Sequence, residues 1–598
     1  MDVLLWIEHA HVHLAPLEPP VIESSGEAAP NEAAPGTASA PVLESALACP
    51  LADLASLISE APWSSARFVL EDVRTSYVPL IGAGVRLRRA LDLRLCRAIV
   101  DHTPLASEEP EASSGDHPGI LSGGAAQADH DAQLSFSLFD DATPEFDTAA
   151  LHSSYLHVMQ RLRRVPAPER LALLLEAESV GALIATELSA TGLPWSTATH
   201  LRYLERELGP KPVHGGRPAK LEAIVQEIRE ILGDSKLNPE SAASLLKALR
   251  KAGLQVQSTS KWELRRVEHP VIAPLQEFKR LHRLMTANGW TWMQQWVRGD
   301  RLHTDYVPAG VVTGRWATRG GGGMQLPRSL RSAAVADPGW KFVIADAAQL
   351  EPRVLAGMSR DLALAAAGRG SDLYQGLVDA GAVPTRQDAK FAMLGALYGA
   401  TSGAAGRLLP RLRSNFPLAI GMVDAAALAG ERGEYVETWL GRRSPDPSAR
   451  WLALQSAASA DDANPAAVRA ASAAARERGR FTRNFVVQGS AAEWSAFWMA
   501  GIRKRLSALD DSAGSAELVF FLHDEIIVHA PEHLAEACLA IVHEAAAAAG
   551  RALFGSFPIE FRLSASIAND YGAGKALTAS PEERIDAAID EEGEILES

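Results

Sequence analysis

Residues 518–528, LVFFLHDEIIV, constrain the fold of this chain more than any other stretch. Two β-forming apolar runs, Leu518–Leu522 and Ile526–Val528, are separated only by His523-Asp524-Glu525. A turn this tight normally takes Gly, Asn or Asp-Gly, because its central residues need positive φ. No glycine is present here, and the hairpin tip carries an imidazole and two carboxylates instead. A local rule broken in this way marks a functional site. A carboxylate held at such a tip needs a partner elsewhere in the chain.

The partner is sought in KFVIADAAQLEPRVLAGMSRD (residues 341–361). KFVIA reads as an apolar strand with Asp346 at its end, and a helix follows in which Pro352 is tolerated in the first turn. If the hairpin packs beside this strand, Asp346 and Asp524 converge. Two carboxylates about 4 Å apart repel by roughly 4 kcal/mol at an effective dielectric of 20, so the pair keeps a proton or takes a cation. With two Mg²⁺ ions about 3.5–4 Å apart, such a pair activates a 3′-hydroxyl and stabilises a leaving pyrophosphate. Taken singly, either Asp reads more readily as a strand or turn cap. A third segment adds weight. In TRQDAKFAMLGALYGATSG (385–403), Arg386, Lys390, Leu394 and Tyr398 recur every fourth residue and form one helical stripe. Like charges so spaced cost a helix about 0.2–0.5 kcal/mol, which an anion such as a triphosphate opposite the stripe would offset.

The 598 residues allow three or four domains, and a net charge of −15 argues by itself against nucleic acid. The distribution matters more than the sum. Residues 101–150 contain no Lys or Arg and the final PEERIDAAIDEEGEILES is acidic, whereas 211–285 is rich in both bases, so a basic channel remains open. Residues 18–48 and about 104–133 have the composition of disordered insertions. Three widely spaced cysteines, Cys49, Cys96 and Cys538, read as buried thiols of a reducing cytoplasm. The first residues lack a basic signal region. No uncharged apolar run of about 18 residues is found, so no membrane span is expected. The pattern turns helical from 166, with Asn238-Pro239 as an expected N-cap and first-turn proline.

With these segments in view, the chain resembles the family A DNA polymerases, the bacterial DNA polymerase I class, and among them the actinobacterial bifunctional 3′–5′ exonuclease/polymerase type. Asp346-Ala347-Ala348-Gln349-Leu350-Glu351-Pro352-Arg353 is similar to the first palm motif. Arg386…Lys390…Leu394…Tyr398-Gly399 is similar to the fingers helix, and His523-Asp524-Glu525 to the third motif. TGRWATRGGGGMQLPRSLR (313–331), GEYVETWLGRRSP (433–445) and RNFVVQGSAAEW (483–494) resemble three further motifs, all in the family's order. The resemblance implies an α+β multidomain, right-hand fold. Its parts are a degenerate ribonuclease H-like exonuclease α/β domain (1–165), thumb (166–300), palm (301–370), fingers (371–435), and a second palm part with an acidic tail (436–598). It implies a DNA-templated DNA polymerase of repair or gap filling, and no 5′-nuclease domain is expected in the remaining length.

By the same resemblance Asp346, Asp524 and the Ala347 carbonyl would hold two Mg²⁺ ions, with Mn²⁺ as a substitute, and Glu525 would support them. Arg386 and Lys390 would grip the triphosphate, Lys390 also protonating the pyrophosphate. Tyr398 would border the templating pocket. Gln349 and Glu351 would pack on the incoming sugar, Glu351 excluding a 2′-hydroxyl and so arguing against RNA synthesis. Leu394 stands where an aromatic usually faces the sugar, and His523 near the primer end. Arg315 and Gln488 would contact the duplex minor groove; Arg353 is grouped with these DNA contacts and also reads as a buttress of the palm. The implied partners are template-primer DNA and deoxynucleoside triphosphates, for a monomeric, cytoplasmic, nucleoid-associated protein. Gln387, Pro352, Phe521 and the GGGG run at 320–323 depart from the pattern without removing a metal ligand. The first 165 residues lack the D-x-E of a proofreading site, so Glu71, Asp72 and Asp92 read as capping or solvated acids and no proofreading is expected. The alternatives are a two-metal nuclease and a catalytically inactive DNA-binding scaffold.

Overall fold

The computed structural model describes residues 1–8, 11–17, 46–105, 147–213, 215–264, 266–320, 326–370, 372–399, 403–460, 463–509 and 514–578. Most of both expected insertions, most of the GGGG run and the acidic tail lie outside the described residues.

The N-terminal part is built on a five-stranded sheet of order β3-β2-β1-β4-β5. Its strands are β1 (Asp2–Glu8), β2 (His11–Leu17), β3 (Leu47–Pro50), β4 (Arg67–Leu70) and β5 (Ala90–Asp92). The β1–β2 and β2–β3 pairs are antiparallel, whereas β1–β4 and β4–β5 are parallel. Helices α1 (Leu93–Val100) and α2 (Thr148–Arg164) lie alongside. Asp92 caps α1 by accepting the Leu95 N–H at 2.9 Å, and its other oxygen accepts the Val73 N–H at 3.0 Å. Asp72 accepts the Arg74 N–H at 3.0 Å and pairs with Arg94, and Glu71 pairs with Arg97. Asp92 and Asp72 thus accept cap-type backbone N–H bonds, as expected, while the ion pairs of Asp72 and Glu71 are not read from the sequence. All three cysteines are free and buried.

Helix α3 (Pro168–Thr191) corrects the expected thumb boundary at 166. Leu171, Leu174 and Leu188 join a large core that reaches from Leu4 and Val69 to Val343 and Trp498, while Ala182 and Leu183 join the core with Val3, Leu5 and Val12 on the other face of the N-terminal sheet. Apolar side chains on more than one side of this helix let it be shared by two cores, while Glu169, Arg170 and Leu173 stay exposed. Arg503 reinforces the junction by donating to Glu187 of α3 and to the Leu87 carbonyl at 2.6 Å. The separate helical body starts near Leu193 and includes Thr197–Leu208, Ala219–Leu232, Ala242–Lys251 and Ile272–Asn288. The expected Asn238-Pro239 cap is also corrected: Ser241 caps Ala242–Lys251, and Asn238 closes a local turn on the Glu240 N–H at 3.1 Å. Asn side chains compete for nearby backbone donors in this way.

The second sheet has four antiparallel strands in the order β7-β8-β6-β9: β6 (Trp340–Ala347), β7 (Glu517–Leu522), β8 (Glu525–Pro531) and β9 (Leu563–Ala568). β6 is central, which explains its unbroken apolar run: Phe342 and Ile344 face the helical-body core, and Val343, Ala345 and Ala347 face the opposite core. Helix α4 (Leu350–Ser359) leaves β6, followed by α5 (Leu373–Asp379), α6 (Arg386–Tyr398) and α7 (Pro417–Glu431). Thr385 caps α6 by accepting the Asp388 N–H, and Gly399 ends it at φ 75°.

Helix α8 (Pro465–Leu506) is 42 residues long, about 63 Å at 1.5 Å per residue. Its first half packs on α7, where Thr482 Oγ1 donates to the Ala426 carbonyl at 2.7 Å. Its second half brings Trp494, Trp498 and Met499 beneath the sheet. One helix thus joins both sides of the expected boundary at 435. Helix α9 (Ala535–Phe554) is apolar and long enough on composition alone to cross a bilayer, but half of its apolar window is buried here. Cys538, Val542 and Phe554 belong to the same core as Val343. Helix α10 (Tyr571–Thr578) closes the described chain.

Candidate active site

The hairpin tip lies beside the end of β6. Leu522 pairs with Glu525, leaving His523-Asp524 as a two-residue turn, and His523 supplies the positive φ, 57°, that glycine normally supplies. Asp346 is the register partner of Glu525, and the Ala347 N–H donates to the Asp524 carbonyl at 2.9 Å. The two expected carboxylates are thereby brought together. Both line a cavity of about 950 Å³, with Arg386, Lys390, Leu394 and Tyr398 of α6 on another wall. Burial, followed by the facing Asp346 carboxylate, holds the Asp524 carboxyl well above the usual range. A donor set under such repulsion suits a divalent cation. Among the described residues, no group of three His, Cys, Asp or Glu side chains converges in a metal-binding arrangement.

Glu525 is not in the cavity wall. Its side chain is buried, and Glu525 Oε1 pairs with Lys575 Nζ of α10 at 3.1 Å. The same ammonium lies 3.0 Å from Asp346 Oδ2. Sequence reasoning misses Lys575, because nothing in YGAGKALT marks a site and only the return of the chain past β9 brings it here.

The remaining residues form two networks. Glu351 accepts from Arg315, and its Oε2 and Oε1 lie 3.0 and 3.2 Å from the Tyr398 hydroxyl that donates to them. Burial, with Glu351 second, pushes the Tyr398 phenol up to about 12. Arg386 Nη2 donates to Asp372 Oδ2 at 2.9 Å, and Gln349 Nε2 donates to the same oxygen at 3.0 Å. Asp372 also caps α5 through the Gln375 N–H; it too is missed in the sequence, where a lone Asp before an apolar helix reads only as a cap. Lys390 is exposed and has no ion-pair partner among the described residues. His523 lines the cavity, and burial followed by the Arg315 cation lowers its imidazole. Phe521, a departure from its motif, meets Trp316 edge to face at 4.9 Å on the cavity wall.

Two expected DNA contacts part company. Gln488 is half-buried on α8, one turn before the cavity-lining Ala491 and Ala492. Arg353 corrects its grouping with DNA contacts. It is fully buried and donates to the carbonyls of Ala348, Gly368 and Glu560 at 3.0, 2.7 and 2.8 Å, so it ties α4 to the sheet.

The motifs at 433–445 and 483–494 serve each other. A Cβ at Gly489 would lie 2.4 Å from Thr438 Cγ2, so only glycine lets the loop approach. Glu493 is buried and accepts from Thr438 Oγ1 and from the Leu440 N–H at 3.0 Å. Burial pushes its carboxyl up to about 7, against the pull of those donors. A raised acid binds more protons folded than unfolded, so this stabilisation is full below about pH 4.5 and is lost as pH rises through about 7. Glu493→Gln should remove that slope: relative to wild type, the unfolding free energy from denaturant melts should improve at pH 8 over pH 5, by up to about 3 kcal/mol.

Comparison with known proteins gives this arrangement its context. A family model described as DNA polymerase family A matches residues 216–573. DNA polymerase I of Chloroflexus aurantiacus is 28% identical over 338 residues, covering 51% of this chain and 33% of that protein. A thermostable DNA polymerase I of Thermus thermophilus is 26% identical over 440 residues, covering 66% of this chain and 48% of its own length. The chain thus spans about a third to a half of these relatives. The POL domain of Pol1 from M. smegmatis, solved in complex with DNA primer-template and dNTP, superposes with a TM-score of 0.64 at 17% identity over 96% of both chains. Its fold is therefore shared over nearly the whole length. Since the matched segment contains β6, α6, α8 and the HDE hairpin, and since it covers more than half of the sequence, the chain belongs to DNA polymerase family A.

Proposed function

We propose that this chain is a DNA-templated DNA polymerase that extends a primer 3′-hydroxyl with deoxynucleotides. The observation that carries the reading is one cavity with Asp346 and Asp524 on one wall and the Arg386/Lys390 stripe on another. Carboxylates opposite cations suit a divalent ion with a polyphosphate between them. Asp346, Asp524 and the Ala347 carbonyl would hold the ions, which when bound lower the pKa of the attacking hydroxyl and neutralise charge on the leaving pyrophosphate. Lys390 meets the triphosphate and gives the pyrophosphate its proton. Arg386 binds the same group from its perch on Asp372. His523 sits at the primer end, and Arg315 and Gln488 meet the duplex minor groove, where shape is read with little sequence information.

Glu351, clamped by Tyr398 and Arg315, is the proposed barrier to a 2′-hydroxyl, with Gln349 and Leu394 completing the sugar's surroundings. Glu351→Ala should raise ribonucleotide incorporation relative to deoxynucleotide by on the order of 10²-fold in single-turnover extension. Equal ribonucleotide use by the wild type would refute the assignment.

The N-terminal sheet is proposed to be an exonuclease-like α/β domain without proofreading. Support comes from Glu71, Asp72 and Asp92, which are all engaged as caps or ion pairs. Primer extension with matched and mismatched 3′ ends tests both proposals together. Extension of the matched primer and persistence of the mismatched one are expected. Shortening of either labelled primer would instead support a nuclease.

A further inference from the structure

Lys575 reaches the carboxylates from behind the sheet, on a helix that is tightly fixed. Ser566 Oγ donates to the Gly574 carbonyl at 2.8 Å. A Cβ on Gly574 would lie 2.2 Å from Ile344 Cδ1, so α10 sits directly on β6. Asp570 caps its start through the Ala573 N–H at 2.8 Å. Tyr571 is fully buried, with the Arg331 guanidinium 4.8 Å from its ring. From this base the ammonium lies 3.0 Å from Asp346 Oδ2 and 3.1 Å from Glu525 Oε1, with the lysine side chain 24% exposed. One oxygen of the proposed metal ligand is therefore already matched to a cation that belongs to the chain.

We propose that Lys575 is a positioning residue that holds Asp346 at the cavity edge and, by its positive charge, weakens the grip of the Asp346/Asp524 pair on a divalent ion. This rests on the reading of that pair as the metal site. The physical reason is Coulombic. An ammonium in contact with one ligand repels an incoming dication and shares that ligand's charge. The same contact keeps Asp346 placed when no ion is present, by neutralising part of its repulsion with Asp524.

The test is Mn²⁺ binding by the full chain without DNA or nucleotide, followed by the electron paramagnetic resonance of free Mn²⁺. Wild type, Lys575→Gln, Lys575→Arg and Asp524→Asn are compared. Lys575→Gln should bind Mn²⁺ tighter by on the order of tenfold, with the gap shrinking at high salt. Lys575→Arg should stay near wild type. A lysine that served only to hold the fold would give weaker binding on removal, the opposite sign. Where glutamine perturbs folding, Lys575→Met keeps the stem without the charge and gives the same reading. Unchanged or weaker binding in both neutral variants, with Asp524→Asn still abolishing binding, would overturn the role of Lys575 alone. Wild-type binding insensitive to Asp524→Asn would overturn the metal-site reading and this inference with it.

Discussion

Replacing Asp524 by Asn should reduce templated primer extension by at least about 10³-fold while leaving the metal-free chain as stable as wild type or more so. The two halves of this result have one cause. Asp524 sits half-buried beside Asp346, and loss of solvent together with that neighbour raises its carboxyl. Without a divalent ion, the ionised form is a liability to the fold. Its folded pKa lies above the unfolded one, so stability falls as pH rises above the ordinary aspartate range. Asn removes the charge and keeps the shape, which should gain on the order of 1 kcal/mol or more at neutral pH. A residue needed only for structure would show the reverse, with stability and activity falling together. The measurements are single-turnover extension with Mg²⁺ and denaturant melts in chelator. An Asp524→Asn chain that extends primers like wild type would overturn the role of Asp524, and a wild type that binds the duplex without extending it would favour the inactive scaffold.

Lys390→Ala should lower kcat/KM for the nucleotide by on the order of 10²–10³-fold, with duplex affinity changed by less than about twofold. Lys390 and Arg386 share one helix face but not one environment. Arg386 is held by Asp372 at 2.9 Å, whereas Lys390 faces the cavity with no ion pair among the described residues. The lysine therefore has a charge that no described residue compensates, and under the proposed function a triphosphate would supply the missing anion. Asp372→Asn tests the contrast. It loosens Arg386 but leaves Lys390 untouched, so its effect on kcat/KM should be several-fold smaller. Nucleotide titrations in steady-state extension, with duplex binding followed by anisotropy, separate the outcomes.

Local chemistry made much of this site readable in one dimension. KFVIAD is an apolar run too short for a helix and ends in a carboxylate. The HDE turn lacks the glycine its geometry calls for, and His523 does take the strained φ. The stripe on α6 follows from a spacing of four residues, capped by Thr385 and ended by Gly399. Each of these depends on neighbours within one turn of helix or one β-pair, where sequence distance and spatial distance agree.

What escaped the sequence depends on contacts between distant segments. Arg353 carries the same charge as Arg386, yet three backbone carbonyls from separate segments bury it. Helix α3 looks like the start of a helical domain, but two cores claim it because its apolar residues lie on more than one side. Asp372 and Lys575 acquire their roles only when α5 and α10 are laid against α6 and β6. The sequence by itself determined which residues could form a strand, a cap or a charged stripe, since those follow from nearest-neighbour geometry. Only the tertiary structure decided which charges face each other across the cavity, since Coulomb energy depends on separations that chain folding sets.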